Sequence, residues 1–102
     1  MARNIVWTES AWRDLERTAD YIAESSPGYA SAFVERIRER ARSLADLTLR
    51  ARVVPELADP TVRELLIGNY RLIFEIADNT VYILGLIHGA RDLAALWKFD
   101  SP

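Results

Sequence analysis

Between Val62 and Arg91 the chain reads VRELLIGNYRLIFEIADNTVYILGLIHGAR: three short apolar runs separated by two polar breaks. Runs of this length, rich in branched and aromatic residues and bounded by turn formers, are strands. Gly68-Asn69 and Asp78-Asn79 tolerate the positive φ that tight hairpins demand. The stretch predicts an antiparallel meander of Val62–Ile67, Tyr70–Ile76 and Val81–Ile87. If the first turn holds two or four residues, Leu65, Ile67, Tyr70, Leu72, Phe74 and Ile76 share one face, and Glu64, Leu66, Arg71, Ile73 and Glu75 share the other. A three-residue turn changes that pairing, because side chains alternate along a strand. The first face is the natural floor for a covering layer. The second, mixed apolar and charged, suits a surface partly open to water or to a partner.

The cover lies upstream. Arg3–Thr8 reads as a first strand in which Ile5 and Trp7 alternate with Asn4 and Val6. Thr8 or Ser10 can cap a helix running from Glu9 to about Glu24, with Glu9 and Asp14 near its positive end. Trp12, Leu15, Ala19 and Ile22 form its apolar stripe, and Glu9 and Arg13 an i,i+4 pair. Ser25-Ser26-Pro27-Gly28 breaks the pattern. A second helix then runs from near Ser26 to about Leu47, with the stripe Ala30, Phe33 or Val34, Ile37, Ala41 and Leu44. Its other side carries Glu35, Arg36, Arg38, Glu39, Arg40 and Arg42, a row best read as solvated. Neither helix buries its stripe alone, so the pair forms a hairpin that needs the sheet. Leu47–Pro60 has two prolines and no clean period; it reads as a loop with a short extended piece at Arg52–Val54. After His88-Gly89, Ala90–Phe99 can form a short C-terminal helix. The fold expected is α+β, in the order β-α-α-β-β-β, over residues 1–102 as a single domain.

Composition narrows the function classes. The net charge is −2, and acidic residues outnumber basic ones in residues 1–30 and again in residues 62–102, so the chain lacks the basic excess of a general nucleic-acid binder. No apolar run approaches a membrane span and the N-terminus lacks a signal-peptide core, so a cytoplasmic protein is expected. No cysteine and a single histidine leave no disulfide framework and no dedicated zinc site, and no cofactor is expected. Twelve of the thirteen basic residues are arginine. Genome composition explains that bias overall, so a need for guanidinium forks applies only at individual positions.

Four pieces in order carry a resemblance that covers nearly the whole chain: YIAESSP between the helices, VPE in the loop, VRELLIGNYRLIFEI over the central hairpin, and IHGARDL after the last strand. Together they resemble toxins of the RelE/ParE superfamily, the toxic half of bacterial type II toxin–antitoxin pairs, and more closely the ParE branch. The resemblance implies neutralisation by a ParD-like antitoxin. Its C-terminal segment folds along the toxin, and its N-terminal domain usually dimerises and binds the operon's promoter, so contact with DNA is indirect. It also implies one of two targets: DNA gyrase for ParE-like members, or messenger RNA in the ribosome for RelE-like ones.

RNA cleavage through the 2′-hydroxyl needs a group to take the proton, a cation for the phosphate and an acid for the leaving oxygen. Aligned with the nuclease branch, Arg71 and Arg91 fall on family arginine positions. The two lysine positions fall on Val62 and Glu64, and the C-terminal tyrosine position falls near Trp97. A glutamate about 4 Å from a phosphate is roughly 4 kcal/mol unfavourable at surface-like screening. The reading is therefore a gyrase-inhibiting toxin without chemistry of its own; the alternative is a nuclease using Arg71, His88 and Arg91. Target-binding candidates are Arg71, His88, Arg91 and Trp97; antitoxin-binding candidates are Trp12, Tyr21, Tyr29 and Phe33. Local readings stand beside these: Arg71 pairing with Glu64 or Glu75, His88 hydrogen-bonding nearby, Arg91 acting as a cap, and Gly89 meeting a backbone need at the strand exit.

Overall fold

The computed structural model describes residues 2–47 and 51–89. Seven elements follow in chain order: β1 (Asn4–Trp7), α1 (Glu9–Ala23), α2 (Pro27–Leu47), β2 (Arg52–Val53), β3 (Val62–Ile67), β4 (Tyr70–Ala77) and β5 (Thr80–His88). The strands form one sheet in the order β1-β5-β4-β3-β2. The expected meander is present, with two-residue turns that pair Ile67 with Tyr70 and Ala77 with Thr80. Gly68 at φ 59 and Asp78 at φ 53 supply the left-handed residues those turns require.

Two features depart from an all-antiparallel, four-stranded sheet. The first is β1, which pairs parallel with β5, Asn4 opposite Thr80 and Trp7 opposite Ile83. No short turn joins these strands, so nothing local fixes their direction. Thr8 instead sets it by bonding both ways. Its N–H and its hydroxyl donate to the Ile83 carbonyl, and its Oγ1 accepts the Ala11 N–H as the helix cap. The second is β2, two residues long, which adds to β3 at the far edge.

Ser26 caps α2 through its Oγ, which accepts the Tyr29 N–H, and Pro27 opens the helix at a position where a missing N–H costs nothing. Both helices cover one face of the sheet. Ala11 and Leu15 of α1, and Phe33, Ile37, Ala41 and Leu44 of α2, meet Ile67, Leu72, Phe74, Val81, Ile83 and Leu86 in the main core. The α2 stripe is the expected one, with Ala30 also buried and Val34 half-buried. The α1 stripe is rotated by one residue at its start: Ala11 is buried, and Trp12 stands partly in solvent with its ring edge-on to Trp7 at 5.7 Å. The bulky indole fits at the rim of the layer, where the alanine lets α1 approach β5 closely.

The opposite, outer face is not left open. Residues 54–61 lie across it, and Val54 buries itself on Val62 and Ile73, with Leu57, Leu84 and Ile87 packed around them. The mixed pattern of β3 and β4 therefore covers a small second core as well as charge. The crossing segment is held at its ends. Arg63 donates to the carbonyls of Pro60 and Ala51, and Asp59 accepts the Thr61 N–H and hydroxyl, which hold its carboxyl below the usual range. Within the segment Ala58 adopts φ 50, a left-handed conformation that costs a residue with a Cβ about 1 kcal/mol.

Candidate functional site

Arg71, the second residue of β4, lies on the outer face and is only 5% exposed. Taking a guanidinium this far out of water costs several kcal/mol unless carboxylates meet it. Two do. Glu64, one strand over, accepts from Nε and Nη2 at 2.6 Å; Glu56, from the crossing segment, accepts from Nη1 and Nη2 at 2.8 Å each. Glu64 also accepts from Arg52 of β2 on its other oxygen. The chain Arg52–Glu64–Arg71–Glu56 alternates in sign and carries no net charge. The Glu56 carboxylate, ahead of the opposing effect of burial and the further pull of Glu64, holds the Arg71 guanidinium more firmly protonated than an ordinary arginine.

The predicted pairing of Arg71 with Glu64 is present. Glu75 takes no part, because it lies opposite Val62 and Tyr82 at the other end of the strand. The partner that sequence reasoning missed is Glu56, fifteen residues away in a segment without a period. One signal was available: an arginine fork offers five donors, more than one carboxylate can accept. Of the two positions compared with nuclease lysines, Val62 lies in the outer apolar cluster and Glu64 at the centre of the ion chain.

His88 and Arg71 both line a cleft at one end of the sheet, and they reach it from opposite faces. Tyr70 and Arg71 are consecutive on β4 and point to opposite faces. The His88 ring stands edge-on to Tyr70 at 5.5 Å, and Tyr70 stands edge-on to Phe33 at 5.2 Å, on the helix side. An irregularity between Ile73 and Phe74 brings His88 there. Ile73 pairs with Gly85 but Phe74 with Ile83, so Leu84 is an extra residue in β5 and side-chain parity changes across it. Asp14 of α1 pins this bulge by accepting the Leu86 N–H at 3.1 Å. A Cβ on Gly85 would lie 3.1 Å from the same carboxylate oxygen, so glycine is what lets α1 come this close. Gly89 meets the backbone need expected of it. Its N–H donates to the Asn69 carbonyl at 2.7 Å, and an added Cβ would lie 3.2 Å from that oxygen.

Two clefts flank the Tyr70–His88 end of the sheet. One, of about 500 Å³, is lined by Arg52, Glu56, Leu66 and Arg71 and, at the strand ends, by Asn69, Tyr70, His88 and Gly89. The other, of about 310 Å³, lies beside α1 among Asp14, Arg17, Thr18 and Leu86. Of the four aromatic residues considered for antitoxin binding, Tyr21 at 69%, Tyr29 at 61% and Trp12 at 40% are exposed. Phe33 is 8% exposed and belongs to the core, where it packs on Tyr70. Arg91, Trp97 and the expected C-terminal helix lie outside the described residues.

A helical hairpin laid on one face of a five-stranded sheet, with β1 parallel to β5, defines an α+β class that solved toxin–antitoxin structures share. A chain of the chromosomal ParDE system from P. aeruginosa superposes with a TM-score of 0.71 at 23% identity, covering 85% of this chain and 96% of that one. A chain of the RelBE2 toxin–antitoxin complex from Mycobacterium tuberculosis superposes at 0.57 with 28% identity, covering 86% and 99%. The chain belongs to the family described as ParE toxin of type II toxin-antitoxin system, parDE, whose model matches residues 5–93. Toxin RelE2 of Caulobacter vibrioides is 38% identical over 88 residues, 85% of this chain and 96% of that protein. The chain is thus a toxin of the RelE/ParE superfamily.

Proposed function

We propose that this toxin is neutralised by direct binding of a cognate ParD-like antitoxin in the cytoplasm, and that it acts by inhibiting DNA gyrase through contact alone. One observation carries this reading. The Arg71 guanidinium, the cation a phosphate would need, is already held at two points by Glu56 and again by Glu64, so the cleft that Arg71 and His88 both line presents a neutralised arginine. The family match supports the same branch. The target-contact candidates in this reading are Arg71 and His88 at the sheet end, together with Arg91 and Trp97 from the sequence. The exposed Trp12, Tyr21 and Tyr29 offer apolar contacts to an antitoxin helix. Purified toxin is expected to block gyrase supercoiling, and antitoxin to restore it; undiminished supercoiling at toxin excess refutes the proposal.

A second reading, a ribosome-dependent ribonuclease, is favoured by the names of two relatives, RelE2 and RelBE2. Mapping messenger RNA ends after expression separates the two. Widespread new cuts within codons indicate the nuclease, and a DNA-damage response without them indicates gyrase.

A further inference from the structure

Glu56 holds the Arg71 fork in the two-point geometry with which guanidinium recognises a carboxylate. It does so from a segment of turns that includes a left-handed alanine, at the edge of a cleft of about 500 Å³. Glu64 differs in kind. Its side chain is fully buried in a strand and is held from both sides by Arg52 and Arg71, whereas the Glu56 side chain is 24% exposed. Withdrawing Glu64 would require breaking the sheet. Withdrawing Glu56 would leave every strand pairing intact and require a shift of the turn between the buried Val54 and Asp59.

We propose that Glu56 is a displaceable internal ligand, and that the cleft over Arg71 takes an acidic side chain from a protein partner in exchange for it. The proposal rests on the reading above that this toxin works by protein contact. A carboxylate fits better than the phosphodiester of a nucleic acid. The site already binds a carboxylate at two points, and Glu64 remains beside it. A polyanionic strand would bring further phosphates beside Glu64 and the displaced Glu56, whereas a single side chain brings one charge. A tethered carboxylate competes at a high effective concentration, so the free site is masked in the isolated protein. An arriving segment succeeds because its other contacts add to that of its acid.

The test follows the Arg71 Nε–H signal by NMR in the full chain, titrated with sodium acetate, sodium chloride or dimethyl phosphate at matched ionic strength. In the wild type, acetate is expected to act no differently from chloride. In Glu56→Gln, acetate is expected to give a saturable shift at least roughly tenfold stronger than in the wild type. Glu56→Asp keeps the charge on a shorter arm and is expected to fall between them; it also serves if Glu56→Gln does not fold. Equal acetate binding by wild type and variants overturns the internal-ligand assignment, as does a chloride-like response in every protein. Dimethyl phosphate binding to the variants more tightly than acetate overturns the choice of carboxylate. The assay contains neither gyrase nor antitoxin, so its failure leaves the gyrase experiment standing, and the reverse also holds.

Discussion

On the helix side of the sheet, Leu72, Phe74, Val81 and Ile83 are wholly buried among apolar side chains from α1 and α2. On the outer side, burial is achieved by the eight residues 54–61 of irregular chain, three fully or nearly buried apolar side chains and a line of four charges. The first arrangement is non-directional: each apolar residue gains about 1.5–3 kcal/mol wherever it is shielded from water. The second depends on geometry, since a buried charge is tolerated only while its partner stays in place. The helix side therefore carries stability, and the outer side carries specificity of a kind that one substitution can undo.

Phe74→Ala probes the stronger face. Complete burial predicts a loss of about 3–5 kcal/mol in urea unfolding, and a loss below about 1 kcal/mol would mean that the two faces are not so different. Arg71→Met probes the other face and is expected to cost about 3 kcal/mol, because it leaves the buried Glu64 with Arg52 alone and takes the arginine from Glu56. Adding Glu64→Leu to it should recover part of that loss through a coupling of about 1–3 kcal/mol. Strict additivity in this cycle would remove the ion chain as a unit. The smallest effect is expected at Arg13→Ala, about 0.3 kcal/mol, since its i,i+4 partner Glu9 and Arg13 itself are both largely exposed.

The same contrast explains what the sequence disclosed. The helix side was readable because period and turn chemistry fix it locally. A two-residue turn at Gly68-Asn69 puts Leu65, Leu72 and Phe74 on the covered face, and a 3–4 spacing puts Ile37, Ala41 and Leu44 against them. Trp12 was assigned to the α1 stripe by its hydrophobicity, but the close approach of α1 to the sheet favours the small Ala11. The outer side depends on contacts between distant residues. Nothing near Arg71 in sequence announces Glu56, and the bulge at Leu84 has no local signature beyond a glycine after it. Asp14 reads as an acid near the positive end of the helix dipole; its work at Leu86 belongs to the tertiary structure. Arg71 and His88 were legible as candidates in the sequence, and their meeting at one cleft beside Glu56 came only from the fold.

The pairing of β1 with β5 has one more consequence, for the order in which the chain acquires its shape. Thr8 bonds to Ile83 across 75 residues, and Asn4 has Thr80 as its strand neighbour. Loop closure on that scale is slow compared with forming a helix or a hairpin. During synthesis the first strand emerges long before the strand it needs. The helices and the β3–β4 hairpin can begin to form, yet β1 waits for almost the last described residues. Translation that stops before Thr80 leaves the β1 ladder and the floor beneath α1 unmade, so only a chain that has passed β5 can assemble all five strands.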